Sequence, residues 1–527
     1  TGDFYLNEGD ARLDLFDDQD VFQEVVVGNG GANKFLRLST GNTNATVSGD
    51  ILLEENDDGR FDVEVDDANA VLTLSGVVSD DANGPGLDKV GNGTLVLAGD
   101  NTYKTRTVVR DGTLTIAGDS SAATGIMYVD SDATLEIGNG AVNGVVNSVL
   151  QMRYTTPTVL LNSPDGVTHS QDLNCVGETN TVRAVIGTNE LNGTTGNIDV
   201  QGLTTWIADA GAELNINING SATDIALSSS PTLTLSGAGN GSIDRKLSNG
   251  GGTALVVKDG SGTWTLNRSY SATQGWQAIG GEGNDGLVIS NGTLAVGTSS
   301  ALPYGTDRGN IRIESAGTLN LDGADTIVHG LVGSGTVEIT GATDRTMSMG
   351  NYATATNTFS GVIRDTGAGV LSVRKRGDAI QILAGANAYE GTTSIERGTL
   401  AVTNGAAIPD ASAISLDNYA NAVLRVDDDE TVATVTGGGA TGGAIDVTSG
   451  QKLTVGTTND FSFAGDVSGV GIVEKVGTGT MTLSGTSTGT GTGEVDGGRL
   501  TDSGTATGLS VTVAADQTRG GEGTVST

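Results

Sequence analysis

Chemistry at a protein surface needs imidazoles, nucleophiles, paired carboxylates or oxygen-rich loops. This 527-residue chain supplies them unevenly, with 2 His, 1 Cys and 63 Asp and Glu. A Ser-His-Asp site requires an imidazole beside its nucleophile. His169 adjoins Ser170 in sequence, which is not geometry, and His329 is the only other imidazole. The stretch GTSTG, 485–489, has the form Gly-x-Ser-x-Gly. It lies in a run of Gly and Thr, without the strand–elbow–helix context that gives that motif its meaning. Carboxylate pairs of the kind used in glycoside cleavage are unavoidable among 63 acids and carry no information. Trp206, Trp264 and Trp276 are scant material for sugar-stacking platforms. The chain is therefore read as non-enzymatic.

Two stretches have the look of cation loops. In EENDDGRFDVEVDD, 54–67, Glu54, Asn56, Asp58 and Gly59 fall at positions 1, 3, 5 and 6 of an EF-hand-like loop, but Val65 stands at position 12. GGEGNDGLV, 280–288, fits one copy of a Ca²⁺-binding nonapeptide and places Asp285 as its carboxylate. Such ions are shared between successive turns, so one copy supplies half a ligand set. The metal residues expected are Glu54, Asn56, Asp58 and, secondarily, Asp285, with Ca²⁺ stabilising the fold by relieving repulsion between clustered carboxylates. The tripeptide Arg376-Gly377-Asp378 has the form of an integrin-binding motif, but turn chemistry accounts for its Gly and Asp.

The elements that must carry these residues are legible in the composition. There are 83 Gly, 6 Pro and 4% aromatic residues, and Thr, Ser, Asn and Asp abound, which favours strands and turns over helices. No apolar run is long enough for a membrane-spanning helix. The formal net charge is −36, and residues 1–88 hold 20 acids against Arg12, Lys34, Arg37 and Arg60. Such a surface repels nucleic acid. The single Cys175 forms no internal disulfide.

A unit recurs: 87–118, a longer copy from 255–270 to 286–297, 371–402, and 472–500. Leu95 to Leu114 is 19 residues, Leu114 to Leu135 is 21, Ile380 to Leu400 is 20 and Met481 to Leu500 is 19, while Leu294 to Leu319 stretches to 25. A short strand returning at this interval predicts a right-handed parallel β-helix, all-β and elongated. Leu95 and Leu97 are expected inside, Thr94 and Val96 outside. The narrow core is expected to exclude large rings, and Gly is expected at the tight corners.

The pattern K-x-G-x-G-T-L-x-L-x-G-x-N-x-Y…G-G-T-L resembles the autotransporter-associated strand repeat of bacterial passenger regions. Lys89, Gly91, Gly93, Thr94, Leu95, Leu97, Gly99, Asn101 and Tyr103 carry it in the first copy, followed by Gly112, Thr113 and Leu114. Lys375, Gly385, Asn387, Tyr389, Gly398, Thr399 and Leu400 carry it in the third. The resemblance implies an extracellular or bacterial cell-surface location. The organisation expected is an acidic N-terminal β unit (1–86), β-helix repeat (87–140), an irregular β insertion (141–250) and β-helix repeats (251–527). The opening at Thr1 is read as that of a processed chain. Strand-like ends predict head-to-tail assembly with copies of itself into a fibre, layer or matrix. The alternative is an adhesin passenger presenting loops to a host or to a surface or matrix polysaccharide. A polysaccharide-active enzyme comes a distant third.

Overall fold

The computed structural model describes all residues except 1, 8, 29–32, 55–58, 82–83, 192–196, 218–223, 250–252, 269–282, 306–307, 351–354, 507–509, 514–517 and 522–527. It contains strands and no helix among those residues. The alternation of apolar and hydroxyl residues decides which way each strand faces. In Thr94–Leu97, Leu95 and Leu97 are fully buried and Thr94 and Val96 half-buried. Leu95 sits in register between Leu72 and Leu114, and Leu97 between Leu74 and Ile116. The same two columns continue through Leu135 and Ile137 to Val159 and Leu161. Every strand ladder among the described residues is parallel, as a β-solenoid requires, with like side chains stacked ~4.8 Å apart.

The chain forms two compact units, Thr1–Trp264 and Thr265–Thr527, each a stack of such coils. In the first, strands return to three walls. One is a four-stranded sheet from Phe4–Leu6 to Val78–Asp80. Another is an eleven-stranded sheet from Arg12–Leu15 to Leu247–Asn249. The third carries the Leu95 and Leu97 columns. The stretch 141–250, expected to be irregular, instead continues the stack. Leu150–Met152, Leu173–Cys175, Ile198–Val200 and Ile225–Leu227 pair in parallel, one coil after another. Its coils are longer than those of the repeat, 29 residues from Trp206 to Leu235, so a ~20-residue period does not reveal them.

Large rings do enter the core, contrary to expectation. Trp206 and Trp264 are both fully buried. The column holding Val182, Trp206 and Leu235 swells at Trp206, while its neighbour shrinks to Ala184, Ala208 and Gly237. The small residues of that neighbouring column leave room for the indole, as close packing demands. Gly241 makes the second space. A Cβ there would lie 2.7 Å from the Trp264 ring.

Corners are built from glycine and aspartate. Gly76, Gly99 and Gly118 stack on Gly49 in a column in which each Cβ would strike the preceding glycine's carbonyl oxygen, and Gly465, Gly485 and Gly504 stack likewise on Gly443. Only glycine permits that approach of backbone to backbone. Aspartates bond across coils to backbone donors that a turn leaves open. Asp50 accepts from Val77 N at 2.8 Å, Asp67 from Gly41 N at 2.6 Å, Asp80 from Lys104 N at 2.6 Å, Asp429 from Lys452 N at 2.8 Å and Asp460 from Thr480 N at 2.6 Å.

Candidate functional site

The residues with sequence-level claims to chemistry are mostly spent on the fold. His169 is buried, and burial pushes its pKa down to about 4, so the ring is neutral. His329 is fully buried, its Nδ1 2.9 Å from the Gly305 carbonyl. Ser487 of the Gly-x-Ser-x-Gly stretch lies buried on the strand Thr486–Ser487, paired with the coil below rather than perched on an elbow. Cys175 is buried beside Met152, with Sγ 3.8 Å from Sδ, and burial pushes its thiol up to about 12.

Of the expected metal residues, Asn56 and Asp58 lie outside the described residues. Glu54 is half-buried just past the strand Ile51–Leu53. Asp285 opens the strand Asp285–Val296 of the second unit and accepts from Arg312 Nε at 2.6 Å. No group of three or more His, Cys, Asp or Glu with metal-holding geometry occurs among the described residues. The Arg-Gly-Asp tripeptide is a tight turn with Gly377 at φ +67°. Arg376 donates to Glu396 at 2.9 Å, and Asp378 is held by Arg397 and Asn421.

The repeat's own motif residues prove to be structural, with a device the sequence did not reveal. The lysine that opens each copy is buried and turns its ammonium onto the corner it precedes. Lys89 Nζ donates to the carbonyls of Val90 (3.1 Å), Gly91 (2.6 Å) and, one coil on, Asp111 (3.1 Å). Lys375 does the same to Arg376, Gly377 and Arg397 at 2.8, 2.8 and 3.0 Å. Lys475 repeats it on Val476, Gly477 and Gly497. Lys258 donates to Asp259 and Gly260 at 2.9 and 2.8 Å. Burial pushes Lys89, Lys258 and Lys375 down to about 8. Asn101 Oδ1 accepts from Val78 N of the previous coil at 2.9 Å, and Tyr103 OH lies 2.8 Å from Thr107 Oγ1. Asn387 and Tyr389 reproduce both contacts, on Ile363 N and Thr393 Oγ1, at 2.7 Å each.

What the fold leaves over is a shallow cleft of about 570 Å³ on the second unit, lined by Asp378, Arg397, Asn418, Tyr419, Asn421 and Thr441. Its floor is the loop between the strands Ala413–Leu416 and Val423–Val426. That loop is pinned: Asn418 Oδ1 accepts from Thr441 N at 2.9 Å, and Tyr419 O accepts from Gly443 N at 3.0 Å and Ala422 N at 3.0 Å. Tyr419 is 43% exposed. The Arg397 guanidinium lies 4.8 Å from its ring centroid, covering one side and fixing its orientation. Asp378 Oδ2 accepts from Arg397 Nη2 at 2.7 Å and Oδ1 from Asn421 Nδ2 at 2.6 Å. The Arg397 and Asn421 bonds hold the Asp378 carboxyl below its usual range. Asn421 Oδ1 is buried without a hydrogen-bond partner. The cleft therefore offers an aromatic plane, a neutralised ion pair and amides. Sequence reading passed over it because its members are far apart and ordinary in type.

Comparison with known proteins bears on the repeat. The Passenger-associated-transport-repeat family matches residues 87–125, 256–296, 373–402 and 473–501. A stretch of 238 residues is 32% identical to an autotransporter adhesin, BmaC, of Brucella suis biovar 1 (strain 1330). The match covers 42% of this chain and 6% of that protein. No solved structure matches. The chain thus carries four autotransporter-associated passenger repeats built into a β-solenoid.

Proposed function

We propose that this chain is a stretch of a surface-displayed or secreted adhesin passenger, non-catalytic, whose solenoid holds recognition loops at fixed positions. The observation that carries this is the division of labour among residues. Every motif position described for Lys89, Asn101 and Tyr103 and their counterparts is consumed in stacking, so the repeat is scaffold. Recognition is left to what projects between coils, as the Asn418–Asn421 loop does. Similarity to a protein named as an autotransporter adhesin supports the same reading.

The test is adhesion itself. Inert beads coated with the 527-residue chain should attach to epithelial monolayers or to extracellular matrix, and the soluble chain should compete. Beads that attach no better than albumin-coated ones, with a chain that sediments as filaments, would return precedence to the self-assembling structural role.

A further inference from the structure

The Tyr419 cleft does not end at its own rim. A second depression of about 690 Å³ shares Thr441 with it and runs across successive coils over Gly443, Gly485 and Gly504. Its lining is small and hydroxylated, with Ser484, Thr486, Ser503 and Thr505 all exposed. The glycines sink its floor because a Cβ on Gly485 or Gly504 would occupy the space of the preceding carbonyl.

We propose that cleft and groove together bind a linear neutral glycan, one pyranose ring stacked on Tyr419 and the following sugars lying along the groove. This deepens the adhesin reading and rests on it. The chemistry is specific in two respects. A half-exposed Tyr with its orientation fixed by Arg397 presents a flat apolar surface suited to the axial C–H face of a sugar. Around it stand polar groups able to bond sugar hydroxyls: Asp378, Asn418, Asn421 and Arg397.

The groove argues for length and against a protein partner. Coils repeat at ~4.8 Å, close to the advance of one sugar along an extended chain, so each ring meets an equivalent set of hydroxyls. Protein hot spots need deep apolar pockets for anchoring side chains, and this lining is Gly, Ala, Ser and Thr with Asp466. Charge selects the class of glycan. Arg397 is neutralised by Asp378, and the chain carries −36, so sulfated and sialylated polymers are repelled.

The experiment uses the full chain on a broad array of neutral, sialylated and sulfated glycans, followed by calorimetric titration of the neutral oligosaccharides retained. Binding should be confined to neutral glycans and should strengthen from disaccharide to hexasaccharide. Tyr419→Ala should weaken it at least tenfold, and Tyr419→Phe less than threefold. Ser484→Arg with Ser503→Arg should abolish the gain with length while sparing the disaccharide. These positions are exposed, so unchanged circular dichroism and melting temperature will show that the variants fold. Absence of neutral glycan binding, retention of only anionic glycans, or full affinity in Tyr419→Ala would overturn the assignment. If beads still adhere to cells while Tyr419→Ala changes nothing, the adhesin reading stands and this site falls.

Discussion

Lys375 is a cation with no carboxylate bonded to it, held instead by three carbonyls at a solenoid corner. Burial pushes it, Lys89 and Lys258 down to about 8 from an ordinary 10.5. Between those values the unfolded chain keeps a proton that the folded chain has released, so stability rises as pH climbs from about 8 to about 10.5 and is lost on the way back down. The melting temperature of the native chain should therefore gain on that of Lys375→Met as pH goes from 7.5 to 9.5, in scans at matched ionic strength. Gln381 makes the opposite point about consensus. It pairs with Leu400, in a column where the repeat places leucine, and it is buried. Its amide donates to Leu331 O at 2.9 Å and accepts from Leu331 N at 3.2 Å, two coils away. Gln381→Leu restores the consensus yet strips partners from buried backbone groups, and should cost about 1–3 kcal/mol in chemical denaturation. The lysine, asparagine and tyrosine of the repeat were legible in sequence as a pattern. Their purpose was not, because it depends on which carbonyls a corner leaves open, and no spacing encodes that.

At the level of the strand, the ~20-residue return of Gly-Thr-Leu was enough to set inside from outside and to stack Leu95, Leu114 and Leu135 in one column. It failed by one residue at Ile380, which faces outward beside Thr399 while Gln381 takes the inward place. Hydrophobicity favoured Ile380, and the alternation of Ala379, Gln381 and Leu383, all buried, decides otherwise. Composition gave no sign that Trp206 enters the core, because the room for it comes from Ala208 on its own strand and Ala184 and Gly237 on the strands either side. The glycine columns give the sharpest expectation at this scale. Gly485 has no positive φ to defend, so Gly485→Ala acts only through collision with the Gly465 and Ala464 carbonyls. It should lower stability by about 1–3 kcal/mol, as overpacking does, whereas Gly450→Ala, with open space around its Cβ, should register only its φ of +82°.

Across the molecule, the acid excess has a structural explanation that composition could not supply. Aspartates are placed where one coil's backbone donors need acceptors from the next, and bonds of this kind help hold Asp17 and Asp322 below their usual range. Their contribution is present above the ordinary carboxylate range and is lost as pH falls through their depressed values. Glu430 runs the other way: burial raises it to about 7, so acidification toward its ordinary value near 4.5 favours the fold. His169, lowered to about 4, opposes that gain over nearly the same interval. The melting temperature should hold nearly level from pH 7 to 4.5 and fall steeply below about 3.5, and Glu430→Gln should tilt the plateau downward toward acid. Within each unit, a strand finds its partner a few tens of residues along, 18 from Leu319 to Val337 and 29 from Trp206 to Leu235. No rung waits for a distant part of the chain. A finished coil offers its open row of amides and carbonyls to whatever residues arrive next, so the polypeptide can be knitted at a moving front while the remainder is still unfolded. Loop closure is short and uniform at every stitch, and a chain delivered from one end in extended form need never solve a global search.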